Sequence, residues 1–248
     1  MIIALSVILF VLLAAISKWK GVVAFLSLYI NYILIVVAVI LICLFANPVV
    51  MALLLSLGAS ALILFFINGV NTKTKVAYVS IIVVLAITAF LISWVGNSSD
   101  IGGFDAQYEE DVFFMCPTNI YINFTQVAIA LILISFTGAI TDIALDITTA
   151  LNEVHENNKE MSFAGLARSG LRIASDVLGT MINTLFFVFV AEFMGFFILY
   201  YNHGFAEIIN SNLFLQALSK LLIGNLGCVL IVPVTILIQS YIFTHRRG

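Results

Sequence analysis

The chain has 248 residues, of which 63% are hydrophobic and only 9% are charged, and its formal net charge is -3. Soluble domains are about 45–50% apolar and about 25% charged, so this composition excludes a soluble globular domain. The apolar runs are long and do not alternate with polar residues, which excludes a β-barrel and predicts an all-α, multi-pass bundle of transmembrane helices.

Seven stretches are long and apolar enough to cross a bilayer, which takes about 20 residues for a helix. In chain order they are residues 1–17, 21–45, 49–70, 76–95, 120–147, 177–201 and 213–243, within a single transmembrane domain. The first stretch has no basic leader and no small-residue cleavage site, so we expect a retained helix rather than a signal peptide. The seventh contains Gly224 and Gly227 as potential breaks and Pro233 as a potential kink.

The basic residues lie almost entirely on one side of these spans. Nine of the ten follow the first, third, fifth or seventh span, namely Lys18, Lys20, Lys73, Lys75, Lys159, Arg168, Arg172, Arg246 and Arg247. The opposite loop 96–119 is acidic, and we interpret it as a solvated loop rather than a calcium site. Because Lys and Arg concentrate in cytoplasmic loops, the pattern predicts an N-terminus outside and a C-terminus inside.

Residues 150–176 form the longest polar segment on the inner side. Apolar residues recur there at helical spacing over 161–175, with Arg168 and Arg172 one turn apart. This pattern predicts an amphipathic helix at the cytoplasmic membrane surface, or alternatively a surface on which a partner docks.

The fifth span carries its polar residues on one stripe. At 100° per residue, Ser135, Gly138, Asp142, Asp146 and Thr149 fall within a narrow sector. A carboxylate inside a membrane costs about 2.5–3.5 kcal/mol, and two carboxylates one turn apart repel each other. We therefore expect that one of them is protonated or that a cation lies between them.

The sixth span begins at a second polar stripe, formed by Asp176, Thr180 and Asn183, and Thr184 is a further potential oxygen ligand. Gly138 and Gly179 flank the two stripes, and such small residues allow two helices to approach closely. We expect the stripes to face each other and to form one site for a proton or a hard cation such as Na⁺.

A structural role is the alternative for these carboxylates. Asp146 and Asp176 could cap helix ends at the membrane boundary or pair with Arg168 or Arg172. Glu192 projects about 160° away from Asp176 on an ideal helix, so it needs another partner. Lys220 or a polar residue of another subunit would serve, and Lys220 could instead extend outward to the membrane surface.

Sites for metals and for catalysis are not indicated. The three cysteines and the three histidines are widely spaced, and no nucleophile elbow, phosphate loop, HExxH or CxxC motif occurs. We expect a protein without enzymatic activity, cofactor or nucleic-acid partner.

Three segments resemble the YibE/F-like membrane protein family. They are residues 69–77 (GVNTKTKVA), 138–153 (GAITDIALDITTALNE) and 169–185 (SGLRIASDVLGTMINTL). The chain is similar to the shorter, YibF-like members, which lack the large soluble domain of YibE-like proteins. The resemblance implies a multi-pass protein of the bacterial inner membrane with a YibE-like membrane partner, and a homo-oligomer is the alternative.

Spans two to seven are also similar in layout to the SecF-like half of proton-driven RND-type transporters. There, an inward helix bearing Asp precedes an inner surface helix and an outward helix rich in Thr. Loop 46–48 is too short for the extracytoplasmic domain of that layout. We therefore interpret the chain as a subunit of a proton- or cation-coupled transporter, and a non-transporting scaffold subunit is the alternative.

Overall fold

The computed structural model describes residues 1–44, 46–98, 124–199 and 205–245, which are helical apart from short turns. The helices are α1 (Ile2–Cys43), α2 (Pro48–Ala61, continued by a π-helical turn at Leu62–Ile67), α3 (Thr72–Ser98), α4 (Phe124–Asn157), α5 (Phe163–Leu199), α6 (Phe205–Ile209) and α7 (Asn212–His245). Six of them are long and apolar enough to cross a membrane, and α6 is not. The predicted all-α membrane bundle is confirmed. The acidic loop predicted at 96–119 lies mostly outside the described residues, and Arg246 and Arg247 lie wholly outside them.

Helix α1 folds back on itself at Lys18, where φ is 49° and ψ is -124°. Beyond this point the Tyr29 hydroxyl donates to Ser6 Oγ over 3.2 Å. The rings of Phe10 and Phe25 meet with their centroids 5.0 Å apart. Since residues this far apart in a straight helix would be separated by about 22 Å or more, α1 is a helical hairpin. Within the described ranges, the two arms of α1 and the other five long helices give seven apolar helical segments. They follow the chain order of the seven predicted spans.

Two hydroxyl pairs show that α2 and α4 run parallel. The Thr137 hydroxyl donates to Ser56 Oγ over 2.8 Å, and the Ser60 and Thr141 hydroxyls lie 2.9 Å apart. Both pairs join residues 81 positions apart, so the contacts advance in the same direction along both helices.

Helix α7 is also parallel to α4. Phe136 lies against Gly224 near one end, and the ring of His155 stacks on Phe243 near the other, with centroids 4.3 Å apart. The third, fifth and seventh spans therefore run in the same direction, as the predicted topology requires. Which end faces the cytoplasm stays a prediction of the charge pattern.

The turn between α2 and α3 is built from the first of the three family-like segments. Gly69 has a φ of 76°, which favours glycine. Asn71 and Thr74 then form a reciprocal cap, each side chain accepting a hydrogen bond of 3.0 Å from the backbone N–H of the other. This cap starts α3 within a few residues of the end of α2.

Helix α4 is the centre of the bundle. Its fully buried side chains include Phe136, Ile140, Ile143 and Ile147. Four helices surround α4 in the order α5, α7, α3 and α2, and each of them packs against the next. Among the described residues, α2 and α5 do not pack against each other. One narrow stripe of α4 is therefore left uncovered.

The amphipathic segment predicted at 161–175 is helical from Phe163 onward, but it is not a separate surface helix. It is the first part of α5, which continues without a break to Leu199 because no proline interrupts it. Leu166 and Ala174 are each 1% exposed, so this apolar face packs inside the bundle rather than on lipid headgroups. Arg168 and Arg172 lie on the other side of α5, and both are exposed.

Helix α7 is likewise continuous, so Gly224 and Gly227 do not break it, and Pro233 lies inside the helix. Both glycines contact the fully buried Phe136 of α4 instead. A Cβ atom at position 227 would lie 3.0 Å from Cε2 of Phe136, which is tighter than an ordinary van der Waals contact.

We expect the substitution Gly227→Ala to lower the free energy of unfolding by about 1–3 kcal/mol, because the fully buried Phe136 ring must shift to admit the added methyl group. Gly138→Ala is the matched control, since a Cβ there meets nothing within 4 Å. It should be neutral or stabilising, because Ala is the better helix former. Thermal unfolding of both variants in one detergent measures the difference, and equal unfolding temperatures would contradict the role given to Gly227.

Candidate functional site

The polar stripe predicted on the fifth span is the uncovered side of α4. Gly138, Asp142 and Asp146 are exposed, and Ser135 and Thr149 are partly exposed at its two ends. Because α5 and α2 leave a gap here, the stripe looks out of the bundle between these two helices.

Asp142 and Asp146 lie one turn apart on this stripe, with their Cα atoms about 6 Å from each other. Neither carboxylate forms a hydrogen bond or an ion pair with another residue that the structure describes. Two carboxylates in this arrangement can bind a cation between them or share a proton, and either event removes their mutual repulsion.

The second polar stripe, on α5, points away from α4. Helix α5 packs on the core through Val177, Leu178, Met181 and Leu185. On an ideal helix Asp176 and Asn183 lie on the opposite side, and both are exposed.

The hydroxyl and amide groups of this stripe bond to their own helix. Thr180 Oγ1 donates to the carbonyl of Val177, Asn183 Nδ2 to that of Gly179, and Thr184 Oγ1 to that of Thr180, each over 2.9 Å. None of these bonds reaches α4.

The expectation that the two stripes converge within one chain is therefore wrong for the described residues. The described residues contain no group of three Asp, Glu, His or Cys side chains that could bind a metal ion. A Cβ atom added at Gly138 or Gly179 would meet nothing within 4 Å, so these glycines do not bring α4 and α5 into close contact.

The rotation of α5 about its own axis is fixed by its contact with α7, where Gly170 lies against Ile236. Because α5 is one continuous helix, this contact places Asp176 on the outer side of the bundle.

Glu192 pairs with Lys220, one of the partners that the sequence suggests for it. Lys220 Nζ lies 2.9 Å from Oε1 and 2.8 Å from Oε2 of Glu192, and the pair connects α5 to α7. Together with Gly170 and Ile236 at the other end, this contact shows that α5 and α7 are antiparallel.

The ion pair lines a cavity of about 150 Å³ between α4, α5 and α7. Ser135 lines the same cavity, so one end of the α4 stripe meets the ion pair. Arg168 and Arg172, the other candidate partners, form no ion pair with an acidic residue that the structure describes.

The hydroxyl pairs between α2 and α4 were not predicted from the sequence. Their signal is a matched spacing, because Ser56 and Ser60 on one helix and Thr137 and Thr141 on the other are each four residues apart. All four are at most 5% exposed, so they hold α2 against α4 beside the carboxylate stripe.

Comparison with curated proteins and with solved structures finds no match for this chain, so the similarity to RND-type transporters stays a prediction. The family described as YibE/F-like protein matches residues 5–245. Since this match covers nearly the whole sequence, the chain belongs to the YibE/F-like protein family.

Proposed function

We propose that this chain is a subunit of a proton- or cation-coupled transporter in the bacterial inner membrane, with Asp142 and Asp146 as its ion-binding residues. The observation that carries the proposal is the position of these two carboxylates on the uncovered stripe of the central helix. A scaffold needs no charged groups on a membrane-facing stripe, because a carboxylate at the centre of a span costs about 2.5–3.5 kcal/mol.

The stripe is long enough to serve as an ion path. From Ser135 to Thr149 it extends about 21 Å along α4, whereas the hydrocarbon core of a bilayer is about 30 Å thick. Its outer end meets the cavity that contains Glu192 and Lys220. Ser135, Asp142, Asp146 and Thr149 thus place polar groups at intervals along this length.

The open gap between α2 and α5 supports the need for a second membrane subunit. A helix from such a subunit would cover Asp142 and Asp146 and supply the oxygen ligands that this chain does not bring to them. The family resemblance suggests a YibE-like protein as that subunit.

The test is ion-dependent stability of the purified protein. We expect its unfolding temperature to rise with Na⁺ at constant ionic strength, or to change with pH if the ion is a proton. A ligand at 100 times its dissociation constant stabilises a protein by about 2.7 kcal/mol. Asp142→Asn and Asp146→Asn should abolish this response while the proteins still fold.

Glu160→Gln is the matched control, because Glu160 is also an exposed carboxylate but lies in the turn between α4 and α5, outside the α4 stripe. It should keep the full response to the ion. If wild type shows no dependence on Na⁺, K⁺ or pH, or if Asp142→Asn keeps it, the ion-coupling proposal fails and the alternative of a non-transporting scaffold subunit is favoured.

A further inference from the structure

Helix α5 carries a polar surface that nothing in the described part of the chain covers. We define the α5 polar face as Arg172, Asp176, Gly179, Thr180 and Asn183, which lie exposed or partly exposed along the helix. Arg172, Asp176, Gly179 and Asn183 follow at spacings of four, three and four residues, which places them along one side of the helix.

This face is at odds with a lipid environment. Only 6% of the most apolar 18-residue segment of α5 is buried, against 67% for α4. Asn183 and Thr180 each use one donor on their own backbone, but Arg172 and Asp176 have no side-chain partner that the structure describes. Thr180 and Asn183 lie within the predicted sixth span, where polar side chains normally face protein or water rather than lipid, and Arg172 and Asp176 lie at its inner boundary.

We propose that the α5 polar face is the interface between two copies of this chain. Two copies with the same orientation in a membrane are related by a two-fold axis along the membrane normal. Their α5 helices therefore run parallel, and the same residues meet at the same depth.

The chemistry of the face is self-complementary, which is why the partner is a second copy. Each face carries one cation, Arg172, and one anion, Asp176, a single turn apart. In a parallel helix pair, residues one turn apart on opposite helices are neighbours, so Arg172 of each copy reaches Asp176 of the other. The two ion pairs are equivalent and their charges cancel, while the exposed Arg168 lies one turn closer to the start of α5.

Asn183 adds a second self-complementary contact. One of its N–H groups donates to Gly179 O, which leaves a second N–H and the amide oxygen. Two such amides at the same depth can donate to each other, as single asparagines do at the core positions of parallel coiled coils. Gly179, where an added Cβ would meet nothing within 4 Å, leaves room for the second helix backbone.

The experiment is disulfide cross-linking in native membranes. Cys43, Cys116 and Cys228 are first replaced by Ala, and Gly179→Cys or Asn183→Cys is then introduced singly. Oxidation should give a covalent species of twice the chain's mass, at least about tenfold more abundant than for either control.

Two controls separate this interface from random collision. Met181→Cys lies on the same helix but packs against the core. Ile82→Cys is exposed on α3 at the same distance from the start of its predicted span as Asn183. In addition, Asn183→Leu should weaken co-purification of two differently tagged copies at least about threefold, the effect of one interhelical hydrogen bond in a membrane bundle.

The inference is overturned if Gly179→Cys and Asn183→Cys cross-link no more than Ile82→Cys. It is also overturned if the cross-linked species contains a different membrane protein, which would then be the occupant of this face. Neither outcome affects the ion-binding test of Asp142, because the α4 stripe and the α5 polar face lie on different sides of the bundle.

Discussion

Replacing Lys220 with Met is expected to lower the free energy of unfolding by about 2–3 kcal/mol, the cost of one unpaired charged group at membrane depth. The substitution leaves Glu192 without its counter-ion, whose Nζ lies 2.8 Å and 2.9 Å from its two oxygens. No other basic residue in the described part of the chain forms an ion pair with it. Thermal unfolding in a fixed detergent, or in lipid nanodiscs, measures the loss.

The two halves of this ion pair should differ in their effects. Glu192→Gln leaves Lys220 unpaired, but the long Lys side chain can extend its ammonium group toward the outer membrane surface. Glutamate is too short to do so, so Glu192→Gln should cost less than Lys220→Met. The double variant Lys220→Met/Glu192→Gln has no unpaired charge and should be more stable than Lys220→Met alone.

Equal stability of wild type and Lys220→Met would contradict this account. It would mean that Glu192 and Lys220 are bathed in bulk water, where an exposed ion pair contributes only about 0.2–1 kcal/mol. The cavity shared with Ser135 would then be an open part of the outer surface rather than the end of a membrane path.

Gly21→Val is expected to open the hairpin of α1. A Cβ atom at position 21 would overlap the backbone carbonyl group of Leu13 in the opposite arm. Backbone atoms cannot rotate away as a side chain can, so the two arms must separate. The cost should exceed the about 1–3 kcal/mol typical of overpacking against side chains.

This opening can be followed with a cysteine pair across the hairpin. In the cysteine-free background, a short bifunctional thiol reagent should cross-link Phe10→Cys to Phe25→Cys within one chain, since the two rings are in contact. Adding Gly21→Val should abolish this cross-link. Gly58→Ala is the control, because a Cβ there meets only Leu34 Cδ1 at 3.9 Å. A cross-link that persists with Gly21→Val would show that the arms are not closed by this glycine.

Helix α5 shows which properties of a membrane helix follow from its own sequence and which depend on its neighbours. Helical arithmetic on α5 alone placed Glu192 opposite Asp176, and the structure agrees, because both positions belong to one continuous helix. The same arithmetic did not predict which side of α5 faces α4. That side depends on contacts with α7, such as Gly170 with Ile236, which are far apart in the sequence.

The hairpin at Lys18 shows a related difference. The break between the first two spans was predicted from Lys18 and Lys20, which interrupt an otherwise apolar run. The closeness of the arms depends on Gly21 approaching the Leu13 backbone, which a pattern of polar and apolar residues does not encode.

The order of polar and apolar residues alone was enough to predict a bundle of long membrane helices, the place of each helix in the chain, and the helices that carry carboxylates. Those properties depend on local composition and on the length of chain needed to satisfy the backbone inside a bilayer. Packing between helices is what leaves the stripe of Asp142 and Asp146 uncovered and turns Asp176 to the other side of the bundle. The rotation of each helix about its axis follows from its packing against neighbours, and a single chain with no partner leaves both stripes open.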